Sequence, residues 1–226
     1  MWVRVYSVAT GALLHAWPGL LNTSWGGYST LAWTGRGRQL AIGYTFSVTP
    51  AGAKQARSYL GVRLLDAGRP GHSLTTDSRL AWSTPAADGG PSRPTPLSCA
   101  SDLQVVVSAD GTVVCAGYGV LRDYQPNPFA KTCPAVPDWA SVGFVAYPTA
   151  TGKRARTLFQ YDTNCSPGNS GVLWTSSAGD RVIGYYSLGG LLATKPVVRF
   201  GVFSHGRYTP LPLPPTTETV PATIAW

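Results

Sequence analysis

Helix-favouring charge is scarce in this chain of 226 residues: it holds one glutamate, Glu218, and four lysines, and charged residues of every kind make up 12% of it. The side chains that clothe exposed helix faces are therefore nearly missing, which excludes a fold built on long surface helices. No apolar run approaches the roughly 18 residues that read as a membrane-spanning helix. The stretch Met1-Trp2-Val3-Arg4-Val5-Tyr6 alternates and then turns at Ala9-Thr10-Gly11, without the charged start and unbroken apolar centre of a secretory signal. The four cysteines contain no C-x-x-C pair and no histidine at ligand spacing, so neither a zinc site nor any other metal or cofactor is expected.

Glycine (26 residues), proline (19) and aromatic residues (11%) stand where the charged residues do not. With abundant Thr and Val they suit short strands joined by many turns. At 44% apolar content the chain can bury a core. The class expected is all-β. The formal charge of +8 comes mostly from arginine, a composition that also fits an anionic partner. Arg36/Arg38, Arg154/Arg156 and the single arginines are spread along turns and strands, however, with no basic run and no helix to enter a groove, so nucleic acid is not the expected partner.

An even cysteine count fits two disulfides and an oxidising compartment. Of the three possible connectivities, Cys99–Cys115 with Cys133–Cys165 is preferred, because each pair brackets an expected hairpin. Four buried free thiols are the competing reading. An extracytoplasmic or membrane-associated location follows from the first.

Self-similarity is the strongest pattern. One hairpin occurs three times: Leu31-Ala32-Trp33-Thr34 then Gln39 to Tyr44, Val105-Val106-Val107-Ser108 then Thr112 to Tyr118, and Val172-Leu173-Trp174-Thr175 then Arg181 to Tyr185. The offset is ten residues from Trp33 to Gly43, from Val107 to Gly117 and from Trp174 to Gly184, and a tyrosine follows each glycine. The turns between the strands hold residues that accept positive φ. A second hairpin alternates with the first: Val3 to Gly11 matches Val142 to Gly152, with looser copies at Val62 to Gly68 and Phe200 to Gly206. Two alternating hairpins make a four-stranded antiparallel meander, the unit of a propeller blade.

Strand counting then places a half blade at residues 2–17, full blades near 29–82, 102–161 and 171–213, and the start of a further blade at 222–226. Connections rich in Pro, Gly and Ser, at 45–58, 83–101 and 119–140, lengthen the period beyond the roughly 40–45 residues of a compact WD40 blade. Such loops commonly carry binding. Ala222-Thr223-Ile224-Ala225-Trp226 copies Ser29-Thr30-Leu31-Ala32-Trp33. One reading is ring closure, with that strand joining residues 2–17 in a four-bladed ring. The preferred reading is a single repeat domain that is part of a longer propeller, since the composite blade would still lack one strand. Missing blades or a membrane anchor would then belong to the longer parent. Trp33, Trp174 and Trp226 recur at one strand position and are expected to pack between blades.

At these segments the chain resembles the WD40-like, or TolB/PD40-like, β-propeller repeats of uncharacterised actinobacterial proteins. Trp33-Thr34-Gly35-Arg36-Gly37-Arg38-Gln39-Leu40-Ala41-Ile42 and Val107-Ser108-Ala109-Asp110-Gly111-Thr112-Val113-Val114 look like the S-x-D-G-x-x-L-A hairpin of that group, and Tyr6 to Gly11 looks like its A-T-G turn. The G-H and W-D dipeptides of true WD40 repeats are missing. The resemblance implies a fold and not an activity. It implies a non-catalytic binding or scaffold module that takes a protein, glycan or small ligand through its loops.

One motif carries the alternative. Pro167-Gly168-Asn169-Ser170-Gly171 followed by a hairpin resembles the nucleophile region of trypsin-like and glutamyl-endopeptidase-like serine proteases, in which a glycine-flanked serine is activated by a histidine and a carboxylate. Of the three histidines, His72 lies in a blade turn and His205 follows the serine. His15 alone has the right order, with Asp66 or Asp77 as third member. The repeat already accounts for Val172 to Tyr185, so the serine is expected in a turn entering a blade and no residue is assigned as catalytic.

Overall fold

The computed structural model describes residues 2–18, 31–34, 38–49, 51–52, 54, 57–69, 71–85, 95–99, 105–122, 131–149, 155–165, 167–189 and 197–211. The chain is all-β, and the described residues fold into four antiparallel sheets. The first sheet pairs β1 (Trp2–Tyr6) with β2 (Leu13–Pro18). The second is the meander β3 (Leu31–Thr34), β4 (Gln39–Val48), β5 (Arg57–Asp66) and β6 (Ser78–Pro85). The third comprises β7 (Thr95–Cys99), β8 (Val105–Val107), β9 (Val113–Val120), β10 (Ala140–Tyr147) and β11 (Arg156–Thr163), and the fourth β12 (Pro167–Thr175), β13 (Val182–Leu188), β14 (Val197–Ser204) and β15 (Arg207–Pro210). Each of the last three sheets runs in chain order from one edge to the other.

Several boundaries differ from the sequence expectation: β6 and β9 run to Pro85 and Val120, into expected connections, and β12 begins at Pro167, which puts Ser170 in a strand and not in the turn expected there. Residues 45–48 and 57–58, read as connection, extend β4 and β5 to ten residues each, paired from Gln39↔Asp66 to Val48↔Arg57. Thr95–Cys99 also lies within an expected connection, yet β7 and β8 pair with β9 along the same edge, β7 at Val120 to Gly117 and β8 at Cys115 to Val113. They act as one interrupted first strand. The expected further strand at 222–226 lies outside the described residues.

A single turn of helix, α1 (Leu74–Asp77), precedes β6. Ser73 caps it by accepting from the Thr76 amide, and Asp77 Oδ2 accepts from the amides of His72 and Ser73 at 2.5 and 3.0 Å. Those bonds orient the carboxylate of Asp77, the alternative third member of the serine-protease triad, toward its own helix turn.

The sheets pack face to face in chain order, because alternate residues of each strand point to opposite faces. Val3 and Trp17 of the first sheet pack with Leu40, Ile42 and Leu65 of the second. Ala41 and Val62, on the other face of the second sheet, meet Val107, Val113, Cys115 and Val145 of the third. The opposite face of the third sheet, with Val114, Ala116, Val142, Phe144 and Ala146, meets Val172, Val182, Tyr186, Leu188 and Phe203 of the fourth. The register skips Leu158 between Phe144↔Phe159 and Val145↔Thr157. This bulge lets Leu158 and Phe159 both enter the core facing the fourth sheet. Phe203 is its centre, with ring centroids 4.6 Å from Phe144, 4.9 Å from Phe159 and 5.1 Å from Tyr208.

The repeated glycines report how the copies are oriented. Gly184 turns toward the third sheet: a Cβ added there would lie 3.0 Å from the Phe144 ring and 2.6 Å from the Gly171 carbonyl oxygen. Gly117 shares its face with Val113 and Cys115, toward the second sheet. Third and fourth sheets therefore present their glycine face to the sheet before. In the second sheet Gly43 shares the face of Ala41, which is turned toward the third sheet. That copy is reversed relative to the other two.

The recurrent tryptophans also differ from expectation. Trp33 and Trp174 are 50% and 38% exposed, whereas Trp17 and Trp139, which do not hold that recurring strand position, are 0% and 1% exposed. Trp174 pairs across with Ile183, on the fourth-sheet face that points away from the third.

Candidate functional site

Pairing sorts the connections of the third and fourth sheets between two ends. At one end lie the tight turns 108–112, 176–181 and 205–206, and at the other, the connection end, the last residues of β9, β11 and β13 (Val120, Thr163 and Leu188) with the segment 131–139. Backbone bonds hold the two sheets in parallel alignment at the turn end: the Asp110 amide donates to the Ser177 carbonyl at 3.1 Å and the Gly206 amide to the Leu158 carbonyl at 2.8 Å.

The turns repeat one device. Ser108 Oγ donates to Asp110 Oδ1 at 2.5 Å and accepts from the Thr112 amide at 2.9 Å. Ser176 Oγ donates to Asp180 Oδ1 at 2.5 Å and accepts from the Arg181 amide at 3.2 Å. Gly111 and Gly179, at φ +86° and +62°, supply the left-handed residue that each turn needs. The Ser176 hydroxyl holds the Asp180 carboxyl below the usual aspartate range, against a smaller upward push from burial, with help from its own amide and the charges of Arg181 and His205.

At the connection end, the segment 131–139 is tied down at several points. The Cys133–Cys165 disulfide spans 32 residues, Asn164 Nδ2 donates to the Pro134 carbonyl at 2.8 Å, and Trp139 Nε1 donates to the Asn164 carbonyl at 2.8 Å. Trp139 also exchanges backbone bonds with Leu121 and Thr163. This pins a loop whose Lys131, Thr132, Pro137 and Asp138 remain exposed. Beside it Tyr161, 45% exposed, stacks on Tyr186 with centroids 5.9 Å apart. Burial pushes the Tyr118 and Tyr186 hydroxyls up to about 12. The second disulfide, Cys99–Cys115, lies in the core between the second and third sheets. Both disulfides follow the preferred connectivity, and they fit an oxidising compartment.

The three residues of the protease alternative stand on three different sheets. Ser170 is on β12, 8% exposed and paired with Tyr186. His15 is on β2 of the first sheet, its ring 5.6 Å from that of Trp17. Asp66 ends β5 of the second sheet, where Arg38 and Arg69 pair with it at 3.4 and 3.3 Å. The third sheet lies between the second and the fourth, so the packing brings Ser170 and Asp66 to different interfaces.

Sequence reading missed an open groove of about 530 Å³ at the turn end of the fourth sheet, lined by Arg181, Val202, Ser204, His205, Arg207 and Thr209. Ser204 Oγ and His205 Nδ1 are 2.6 Å apart. Two guanidinium groups with hydroxyls between them can accommodate an anionic group. Residues 26 positions apart in sequence form this wall, and no local motif announces it. Among the described residues no cluster of His, Cys, Asp or Glu is placed to hold a metal ion, and no helix is long and apolar enough to cross a membrane.

No family model matches the chain, and no curated protein matches it.

Proposed function

We propose that the chain is a non-catalytic binding module of the WD40-like β-propeller kind, which engages a protein, glycan or small ligand through the connection end of its stacked sheets. One observation carries the reading: third and fourth sheets are successive meanders packed face to face with the same glycine face turned back, the relation that propeller blades repeat. The pinned segment 131–139 then presents exposed side chains on a rigid support, which lowers the ordering cost of binding. The same oxidising environment that keeps the disulfides closed makes an extracytoplasmic setting the fitting one.

The test is a screen of the immobilised chain against glycan and peptide arrays, repeated with Lys131→Glu/Asp138→Lys at the connection end and with Arg181→Glu/Arg207→Glu at the turn end. A ligand lost with the first pair and kept with the second is the expected result. Binding that survives the first pair and disappears with the second would move the site to the groove. Labelling of the native chain by a fluorophosphonate that is lost on Ser170→Ala would replace the binding reading with a hydrolase.

A further inference from the structure

We infer that the groove at the turn end of the fourth sheet binds a phosphate or sulfate group, held between Arg181 and Arg207 and accepting a hydrogen bond from His205. This site lies at the end opposite the pinned segment and stands on its own geometry, so it holds or fails independently of the binding role proposed above. The register sets Ser204 across from Arg207 and Val202 across from Thr209. Phe203 enters the core, so its neighbours Val202 and Ser204 lie on the outward side of the sheet with their partners. Arg181 stands one position before the Val182↔Phe203 pair, on the other flank of Ser204. Two guanidinium groups thus bracket a hydroxyl in an open groove of about 530 Å³. Each presents a planar fork of donors that matches two oxygens of a tetrahedral anion, and the volume leaves room for an organic body on that anion.

Two further observations point to a ligand. The first is uncompensated charge: among the described residues the ion pairs are those of Asp66 with Arg38 and Arg69. Asp180 feels the charges of Arg181 and His205, yet its Oδ1 accepts from the Ser176 hydroxyl and pairs with neither. The second is the backbone at His205. The central residues of the β14–β15 turn, His205 and Gly206, have φ of +50° and +73°, the pattern of a type I′ hairpin, which asparagine and glycine satisfy at least cost. His205 is the one non-glycine residue at positive φ among the described residues, and strain of this kind belongs to sites that use the side chain. The turn itself is tied to the third sheet by the Gly206 amide and the Leu158 carbonyl, a support that does not involve the imidazole. Ser204 Oγ lies 2.6 Å from His205 Nδ1. With the hydroxyl donating to Nδ1, the ring proton sits on Nε2 and serves as a third donor in the groove.

The test is an NMR titration of the isotope-labelled full chain with inorganic phosphate, inorganic sulfate, phenyl phosphate, phenyl sulfate and phenol at constant ionic strength. Saturable shifts at Arg181, Ser204 and Arg207 with the anions, and none with phenol, are the expected result. Tighter binding of the phenyl esters than of the inorganic ions identifies an esterified ligand, and equal affinity identifies the free ion. Arg181→Gln/Arg207→Gln should weaken binding about tenfold or more, and Arg181→Lys/Arg207→Lys, which keeps the charge but loses the fork, several-fold. His205→Asn should also weaken it several-fold while its Tm equals or exceeds that of the wild type, a separation that a merely structural histidine would not show. Shifts that do not saturate, equal shifts with phenol, or unchanged affinity in the glutamine pair overturn the inference. Unchanged affinity in His205→Asn with a lowered Tm assigns the histidine to the turn and overturns its part in the site.

Discussion

The indole nitrogen of Trp139 donates to the carbonyl of Asn164 at 2.8 Å, bridging the residue that leads into β10 and the residue that follows β11. The same asparagine returns a bond from its side chain to Pro134, so one short stretch after β11 holds both ends of the pinned segment. Trp139 is 1% exposed and its ring lies edge-on to Tyr118 with centroids 6.4 Å apart.

Trp139→Ala is expected to cost about 3–5 kcal/mol, the usual range for removing a large buried aromatic. Trp139→Phe keeps most of the apolar burial but leaves the Asn164 carbonyl without its donor, a loss of about 1–3 kcal/mol. Denaturant unfolding of the two variants checks the order. Equal losses would mean that the hydrogen bond alone, and not the burial of the ring, holds the segment, whereas no loss in Trp139→Phe would leave the ring as the sole support.

The disulfides should open in sequence. Cys133 is exposed and Cys165 half-buried, whereas Cys99 and Cys115 are both 0% exposed. Limiting reductant followed by alkylation and peptide mapping is expected to label Cys133 and Cys165 while Cys99–Cys115 stays closed. The outer bridge closes a 32-residue separation, and chain-entropy arguments give such a loop roughly 3–4 kcal/mol. A drop in Tm on its selective opening is the second readout.

Asp180 makes stability depend on pH. Its carboxyl is held below the usual range by the Ser176 hydroxyl, so the folded state favours the charged form. That contribution is fully present above the unfolded value, about 3.9, and is lost as pH falls through the lower folded value. Thermal unfolding of Asp180→Asn between about pH 5 and pH 2 should show a shallower acid loss than the wild type. A parallel slope for the two proteins would mean that the turn draws nothing from the charge.

Gly184→Ala should be destabilising by about 1–3 kcal/mol, the common cost of overpacking. The added methyl meets the Gly171 carbonyl across the ladder and the Phe144 ring across the interface. Phe144→Leu in the same background vacates part of that space. Partial recovery in the double variant, measured as a coupling energy, would confirm that the sheet interface and not the strand backbone sets the requirement.

The hairpins were legible in sequence because they are local. The ten-residue offset from Trp174 to Gly184 and the serine–aspartate turns specify adjacent strands and tight connections within a dozen residues, and the backbone of such a unit has few alternatives. The interrupted first strand was not legible: Thr95–Cys99 carries two polar residues and a proline, and only pairing with β9 and the bridge to Cys115 make it a strand. The pinned segment and the arginine groove escaped for the same reason, since Trp139 with Asn164 and Arg181 with Arg207 meet only after the sheets have formed.

Local alternation by itself determined that the chain is all-β, where its tight turns fall and which cysteines bracket hairpins. Tertiary packing alone decided which way each copy faces. Gly43 and Gly184 occupy the same place in their hairpins, yet one looks toward the sheet that follows and the other toward the sheet that precedes. A strand with apolar residues on both faces carries no local information about which neighbour each face will meet, so that choice falls to the burial energy of whole sheets. Whole-sheet packing also leaves Trp33 and Trp174, at the recurring hairpin position, exposed and buries Trp17 and Trp139, which do not hold that position.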